Sequence, residues 1–169
     1  MKKTLLAMAV ALLATIGVAN AQDIQADRTG TYVGGMIGST PQQGAQTDVG
    51  LAAGYQFHPN VRVEATYDYL WRNTGSNGQM LMVNGIAQYR IPTSVVTPYV
   101  LAGTGVGFEG FGSTKNGNAE MLYNVGAGVR FAVSRDVELD ARYRYISHFN
   151  NAASSTNVNM LTVGANWRF

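Results

Sequence analysis

The segment Val61-Arg62-Val63-Glu64-Ala65-Thr66-Tyr67-Asp68-Tyr69-Leu70-Trp71 alternates without a break. Odd positions carry Val, Val, Ala, Tyr, Tyr and Trp, while even positions carry Arg, Glu, Thr, Asp and one Leu. A period of two means a strand with one apolar and one charged face. The apolar face ends in Tyr69 and Trp71, side chains that favour a membrane–water interface. Its 11 residues are about what a tilted strand needs to cross a bilayer. Such a strand cannot stand alone, so the constraint falls on the rest of the chain.

The pattern recurs. Asp48 to Phe57 places Val49, Leu51, Ala53, Tyr55 and Phe57 on one face, and His58-Pro59-Asn60 turns the chain. Gln79 to Ile91 sets Leu81, Val83, Ala87, Tyr89 and Ile91 against Met80, Met82, Asn84, Gln88 and Arg90. Ala119 to Phe131 sets Met121, Tyr123, Val125, Ala127, Val129 and Phe131 against Glu120, Leu122, Asn124, Gly126, Gly128 and Arg130. Val137 to Ser147 opposes Val137, Leu139, Ala141, Tyr143 and Tyr145 to Glu138, Asp140, Arg142 and Arg144. The final segment opposes Leu161, Val163, Ala165, Trp167 and Phe169 to Met160, Thr162, Gly164, Asn166 and Arg168.

Two glycine-rich segments complete the set. Tyr32 to Gly38 reads as a first strand with unassigned faces. Pro92 to Pro98 reads as a turn before a fifth strand, Tyr99 to Phe108, with Val100, Ala102, Thr104, Val106 and Phe108 outward and Gly103, Gly105 and Gly107 inward. Polar loops are expected at Ser39–Thr47, Arg72–Gly78, Glu109–Asn118 and near His148–Thr156. The expected fold is all-β: an eight-stranded antiparallel up-and-down transmembrane β-barrel, of roughly ten residues per strand.

Two observations favour lipid over water outside that barrel. The strands carry twelve charges: Asp48, Arg62, Glu64, Asp68, Arg90, Glu120, Arg130, Glu138, Asp140, Arg142, Arg144 and Arg168. All lie opposite the apolar face, where a lipid-facing basic residue would cost about 2–4 kcal/mol at mid-membrane. The aromatics fall into two girdles, Tyr69, Trp71, Tyr123, Tyr143 and Tyr145 at one end and Tyr55, Phe57, Tyr89, Phe131, Trp167 and Phe169 at the other. A soluble lipocalin-like barrel would reverse the faces and would not sort aromatics to both ends.

The N-terminus is a targeting signal by pattern. Met1-Lys2-Lys3 precedes an apolar run from Leu5 to Val18 and Ala19-Asn20-Ala21. This predicts a signal peptide over residues 1–21, cut between Ala21 and Gln22, with residues 22–169 forming one barrel domain. The apolar run is too short for an N-terminal membrane anchor. Without Lys2 and Lys3, ten basic residues face ten acidic ones, so nothing points to nucleic acid. With no Cys there is neither a disulfide framework nor a lipidated cysteine. With His58 and His148 the only histidines, no soft-metal site and no cofactor are expected.

A barrel of this size is filled by its own inward side chains. Six acidic and six basic residues make a balanced interior, expected to form an ion-pair plug. A small pore lined or gated by the same charges is the alternative. Simple hairpin register places Gly54 opposite Glu64, Gly50 opposite Asp68, Arg130 opposite Glu138, Gly128 opposite Asp140 and Gly126 opposite Arg142. Met80, Met82, Leu122 and Met160, near the outer mouth, read as an apolar packing layer or a ligand pocket.

The whole predicted mature chain resembles the small outer-membrane barrels that include the OmpA transmembrane domain, the opacity proteins and OmpX-like barrels. The residues that carry this are Tyr32-Val33-Gly34-Gly35, Thr97-Pro98-Tyr99-Val100, Asn124-Val125-Gly126-Ala127-Gly128-Val129, Ala141-Arg142-Tyr143-Arg144-Tyr145 and Val163-Gly164-Ala165-Asn166-Trp167-Arg168-Phe169. The resemblance implies the bacterial outer membrane, surrounding lipid and lipopolysaccharide, a monomer, and a structural or surface role without enzymatic activity. It also implies that the barrel-assembly machinery reads the strand ending in Phe169. No peptidoglycan-binding domain follows Phe169, so wall anchoring of the two-domain kind is not expected, and the short outer loops do not match adhesive members.

Ser147-His148-Phe149-Asn150 also looks like the His-x-Ser-Asn segment of the lipid A deacylase family, with His148 in the histidine position. Asn150 stands where the nucleophilic serine belongs, Ser147 points to the opposite face, and no Asp or Glu follows Asp140. A hydrolase is therefore not expected.

Overall fold

The computed structural model describes residues 29–40, 46–71, 77–92, 94–108, 119–149 and 157–169. The expected signal peptide with its Ala21–Gln22 cleavage, most of the expected loop residues and Asn150 lie outside them. Eight strands follow in order: β1 (Gly30–Thr40), β2 (Gln46–His58), β3 (Val61–Trp71), β4 (Gly78–Gln88), β5 (Val96–Phe108), β6 (Glu120–Ala132), β7 (Val137–His148) and β8 (Val158–Arg168). Each pairs antiparallel with the next and β1 pairs with β8, so the sheet closes with no free edge.

The barrel is inside-out relative to a soluble fold. Leu51, Ile37 and Val100 are 64%, 61% and 59% exposed, whereas Arg144, Glu64 and Asp68 are 0% exposed. Side-chain alternation delivers this inversion, since one pleat face meets lipid and the other the lumen. In glycine-rich β1, Tyr32, Met36 and Thr40 turn inward while Val33 and Ile37 turn outward. The girdle residues Trp71, Tyr143, Tyr55, Phe57, Tyr89, Trp167 and Phe169 are exposed, and Tyr69, Tyr123, Tyr145 and Phe131 are half-buried. Neighbouring rings brace one another, Tyr69 edge-on to Trp71 at 5.8 Å and Tyr55 stacked on Phe57 at 6.4 Å.

Three local readings need correction. β5 begins at Val96, so Val96 to Pro98 is strand rather than turn. Pro98 sits near the strand start, where a missing N–H is tolerated, and its carbonyl accepts from Tyr89 N–H at 2.9 Å. β4 ends at Gln88, not Ile91, because Ile91 carbonyl closes a turn by accepting from Ser94 N–H at 3.1 Å. The β6–β7 register is two residues off the simple one: Arg130 faces Asp140, Gly128 faces Arg142, and Gly126 faces Arg144. Ser134 Oγ accepts from Asp136 and Val137 N–H at 3.3 and 3.1 Å, which centres the turn on Arg135. The β2–β3 hairpin keeps the simple register, with Gly54 facing Glu64 and Gly50 facing Asp68.

Candidate functional site in the charged lumen

The lumen centre is built twice, four strands apart. Tyr32 on β1 faces Gly54 on β2, and its ring tip occupies the space a Cβ at Gly54 would need, 2.5 Å away. From there Tyr32 Oη donates to Glu64 on β3 at 3.0 Å. Tyr99 on β5 faces Gly128 on β6, again 2.5 Å from the would-be Cβ, and donates to Asp140 on β7 at 2.9 Å. Each unit is a tyrosine, a facing glycine and a carboxylate on three successive strands. Glycine is required at both positions because a side chain would displace the ring.

Arg142 joins the two units. Its Nη1 donates to Glu64 at 2.6 Å across the lumen, and its Nε donates to Asp140 at 2.8 Å. Arg130 adds Nε to Asp140 at 3.0 Å and Nη1 to Gln88 at 2.7 Å, and lies over the Tyr99 ring at 4.1 Å. All of these ionic groups are at most 3% exposed. Burying them is tolerable only because each carboxylate meets guanidinium and phenol donors together.

A second group lies toward the short turns. Arg62 grips Glu138 with both terminal nitrogens at 2.9 and 3.1 Å, and Arg168 donates to the same carboxylate at 2.6 Å. A third lies toward the outer end, where Arg144 grips Asp68 at 2.9 and 2.6 Å and also contacts Met160 sulfur at 3.0 Å. Above it, Leu70, Met80, Met82, Leu122, Ile146, Val158 and Met160 form one apolar cluster, each at most 3% exposed. The residues read as pocket or packing layer, Met80, Met82, Leu122 and Met160, all belong to it and are 0% exposed.

Nine of the sequence-derived charges therefore meet in three groups. The other three lie elsewhere along the lumen. Asp48 is fully buried with both carboxylate oxygens lacking a hydrogen-bond partner among the described residues. Arg90 lies half-buried just past the end of β4. Glu120 sits at the outer mouth with its Oε2 2.9 Å from His148 Nε2, without hydrogen-bond alignment. No acid follows His148 in the chain, and the β6–β7 hairpin brings Glu120 beside it from upstream. The neighbouring Ser147 donates to Asn157 at 2.8 Å. Among the described residues no group of three or more His, Asp or Glu could hold a metal.

Sequence reasoning passed over Tyr32 and Tyr99. The signal was present: assigning Val100 outward turns Tyr99 inward, and a glycine on the neighbouring strand marks the space its ring fills. Asn84 and Asn124, which share a hydrogen bond at 2.9 Å, carry the same mark, since both face Gly103 on the strand between them.

Comparison with known proteins agrees with this geometry. The model of the outer membrane protein beta-barrel domain matches residues 8–169. The chain belongs to this family. It is a protein of the bacterial outer membrane, and its short turns and longer connections follow the family's architecture. Outer membrane protein A of Klebsiella aerogenes is 27% identical over 199 aligned positions, covering 100% of this chain and 56% of that protein. The chain thus spans about half the length of the curated relative it matches. The N-terminal β-barrel domain of Pseudomonas aeruginosa OprF superposes with a TM-score of 0.68 at 14% identity, covering 85% of this chain and 99% of that one. The outer membrane enzyme PagL superposes with a TM-score of 0.56 at 14% identity, covering 82% and 99%. At such identities these family folds are shared, and nothing more is carried over.

Proposed function

We propose that the protein is a non-enzymatic barrel with a structural or surface role in the outer membrane, its lumen closed by an ion-pair plug. The observation that carries this reading is Arg142, whose guanidinium reaches from β7 to Glu64 on β3 while holding Asp140, with 0% side-chain exposure. An open water path at this level would expose those groups. The apolar cluster around Met80, Met82 and Met160 forms a second closure above it. Planar-bilayer recording tests the reading: the wild type is expected to show no steady conductance. Sustained ion current through the wild-type barrel would replace the plug with a narrow pore. Silence in both the wild type and Glu64→Ala would remove the pore altogether.

The same reading makes the girdles the contact with outer-membrane lipid and lipopolysaccharide, and the strand ending in Phe169 the segment offered to the assembly machinery. It treats the barrel as a monomer. A lipid A hydrolase is not favoured, since His148 has Glu120 beside it but Ser147 is turned to Asn157. Incubation with lipopolysaccharide is expected to release no acyl chain; release that His148→Ala abolishes would overturn this.

A further inference from the structure

Two apolar grooves climb the lipid-facing wall side by side. The first has Val137 and Trp167 at its foot, Ala165, Ala53 and Ala65 along its floor, and Leu81 at its upper end. The second runs from Phe131 and Leu139 past Ala141 and Val163 to Val49. Gly35 and Leu51 line both, and the exposed Leu51 is the wall they share. The grooves hold about 670 and 480 Å³, the size of ligand sites rather than of surface roughness.

Both grooves start at one turn. Phe131 and Val137 flank the β6–β7 turn, whose Val133 to Asp136 are exposed, so the two feet open on either side of it. The first groove ends at Leu81, which faces Tyr67, and the second at Val49, which faces Tyr69 of the outer girdle. Each successive strand is met higher than the last, so the grooves follow the barrel's height rather than the tilted strands. Small outward residues set side by side make the first floor, Gly35 facing Ala165 and Ala53 facing Ala65. A Cβ at Gly35 would meet nothing within 4 Å. In lipid, apolar surfaces gain nothing by hiding from one another, so packing decides what covers this wall. A hollow left empty forfeits dispersion contacts. A second copy in a symmetric dimer would present the same concave face, leaving both hollows unfilled.

We propose that this wall seats one diacyl phospholipid of the periplasmic leaflet, its two chains in the two grooves on either side of Leu51. Two chains diverging from one headgroup match two grooves diverging from one turn. The headgroup then lies beside the exposed Ser134, Arg135 and Asp136. The short turns of an outer-membrane barrel face the periplasm, which sets the leaflet. The proposal rests on lipid covering this wall and is independent of whether the lumen conducts.

Trp167 lines the first groove, and Trp71 is the only other tryptophan. The test therefore uses the folded barrel carrying Trp71→Phe in detergent micelles, titrated with phosphatidylethanolamine brominated on its chains, which quenches Trp167 on contact. Quenching is expected to saturate at one lipid per barrel while lipid is still a minor part of the micelle. Ala53→Phe fills the first groove and should weaken binding about tenfold. Ala102→Phe, on exposed β5 wall that lines neither groove, should leave it unchanged. If Ala53→Phe does not fold, as judged on unboiled gels, Ala65→Leu takes its place. The brominated single-chain lysophosphatidylethanolamine should bind about tenfold more weakly, since one groove stays empty. Quenching that only tracks the bulk lipid fraction, or equal effects of Ala53→Phe and Ala102→Phe, would overturn the proposal. So would tighter binding of lipid A than of phospholipid, or a dimer in lipid-free detergent that Ala53→Phe disperses.

Discussion

Replacing Glu64 by alanine removes the acceptor that Arg142 reaches across the lumen at 2.6 and 3.3 Å and that Tyr32 reaches at 3.0 Å. Breaking a buried ion pair from one side typically costs about 3–5 kcal/mol, because the remaining charge is left without its partner. Part of that figure is the orphaned Tyr32 hydroxyl, about 1–3 kcal/mol. The loss is held below the isolated-charge limit because Arg142 keeps Asp140 at 2.8 Å. The expected destabilisation for Glu64→Ala is therefore about 3–5 kcal/mol. Glu64→Gln keeps the shape and an acceptor for Tyr32, and should lose about 1–3 kcal/mol. Equilibrium urea unfolding in phospholipid vesicles measures this, with Trp71 and Trp167 fluorescence reporting on both girdles. A double-mutant cycle with Arg142→Met isolates the pair, since removing both charges leaves neither one stranded. A loss below about 1 kcal/mol for Glu64→Ala, or strict additivity in the cycle, would refute the view that this pair holds the lumen together.

Other substitutions probe the remaining parts. Gly128→Ala should cost about 1–3 kcal/mol, because its Cβ would lie 2.5 Å from the Tyr99 ring and 2.6 Å from the Ala141 carbonyl. Gly35→Ala, whose Cβ would meet nothing within 4 Å, is the matched control and should be neutral in the same unfolding assay. Val83→Arg places a cation on the lipid side and should cost about 2–4 kcal/mol, seen as a reduced folded fraction in vesicles on unboiled gels. Met82→Ala opens the apolar layer and should cost about 2–5 kcal/mol by urea unfolding.

Strand number, setting and the faces of every strand but glycine-rich β1 were legible because they depend on a local period. In β3 every second residue from Arg62 to Leu70 points inward, and the same rule placed Val49, Leu81, Met121, Tyr143 and Leu161 toward lipid. The misread points are where one residue type carries two meanings. Pro98 reads as a breaker but occupies a strand start. Ser134 looks like any turn residue, yet its hydroxyl shifts the β6–β7 register by two. The approach of Glu120 to His148 at the outer mouth follows strand pairing, which chain order does not record.

The sequence by itself determined that this chain is a closed membrane barrel with a charge-balanced interior, because lipid penalises any charge on the outer face and alternation records which face that is. Only the tertiary structure decided the partners: Arg142 between Glu64 and Asp140, Tyr32 and Tyr99 seated over glycines, and Arg62 and Arg168 converging on Glu138 near the short turns. Those contacts cross the lumen between strands up to 78 residues apart. They depend on strand tilt and stagger around the closed sheet, quantities that no period within a single strand encodes.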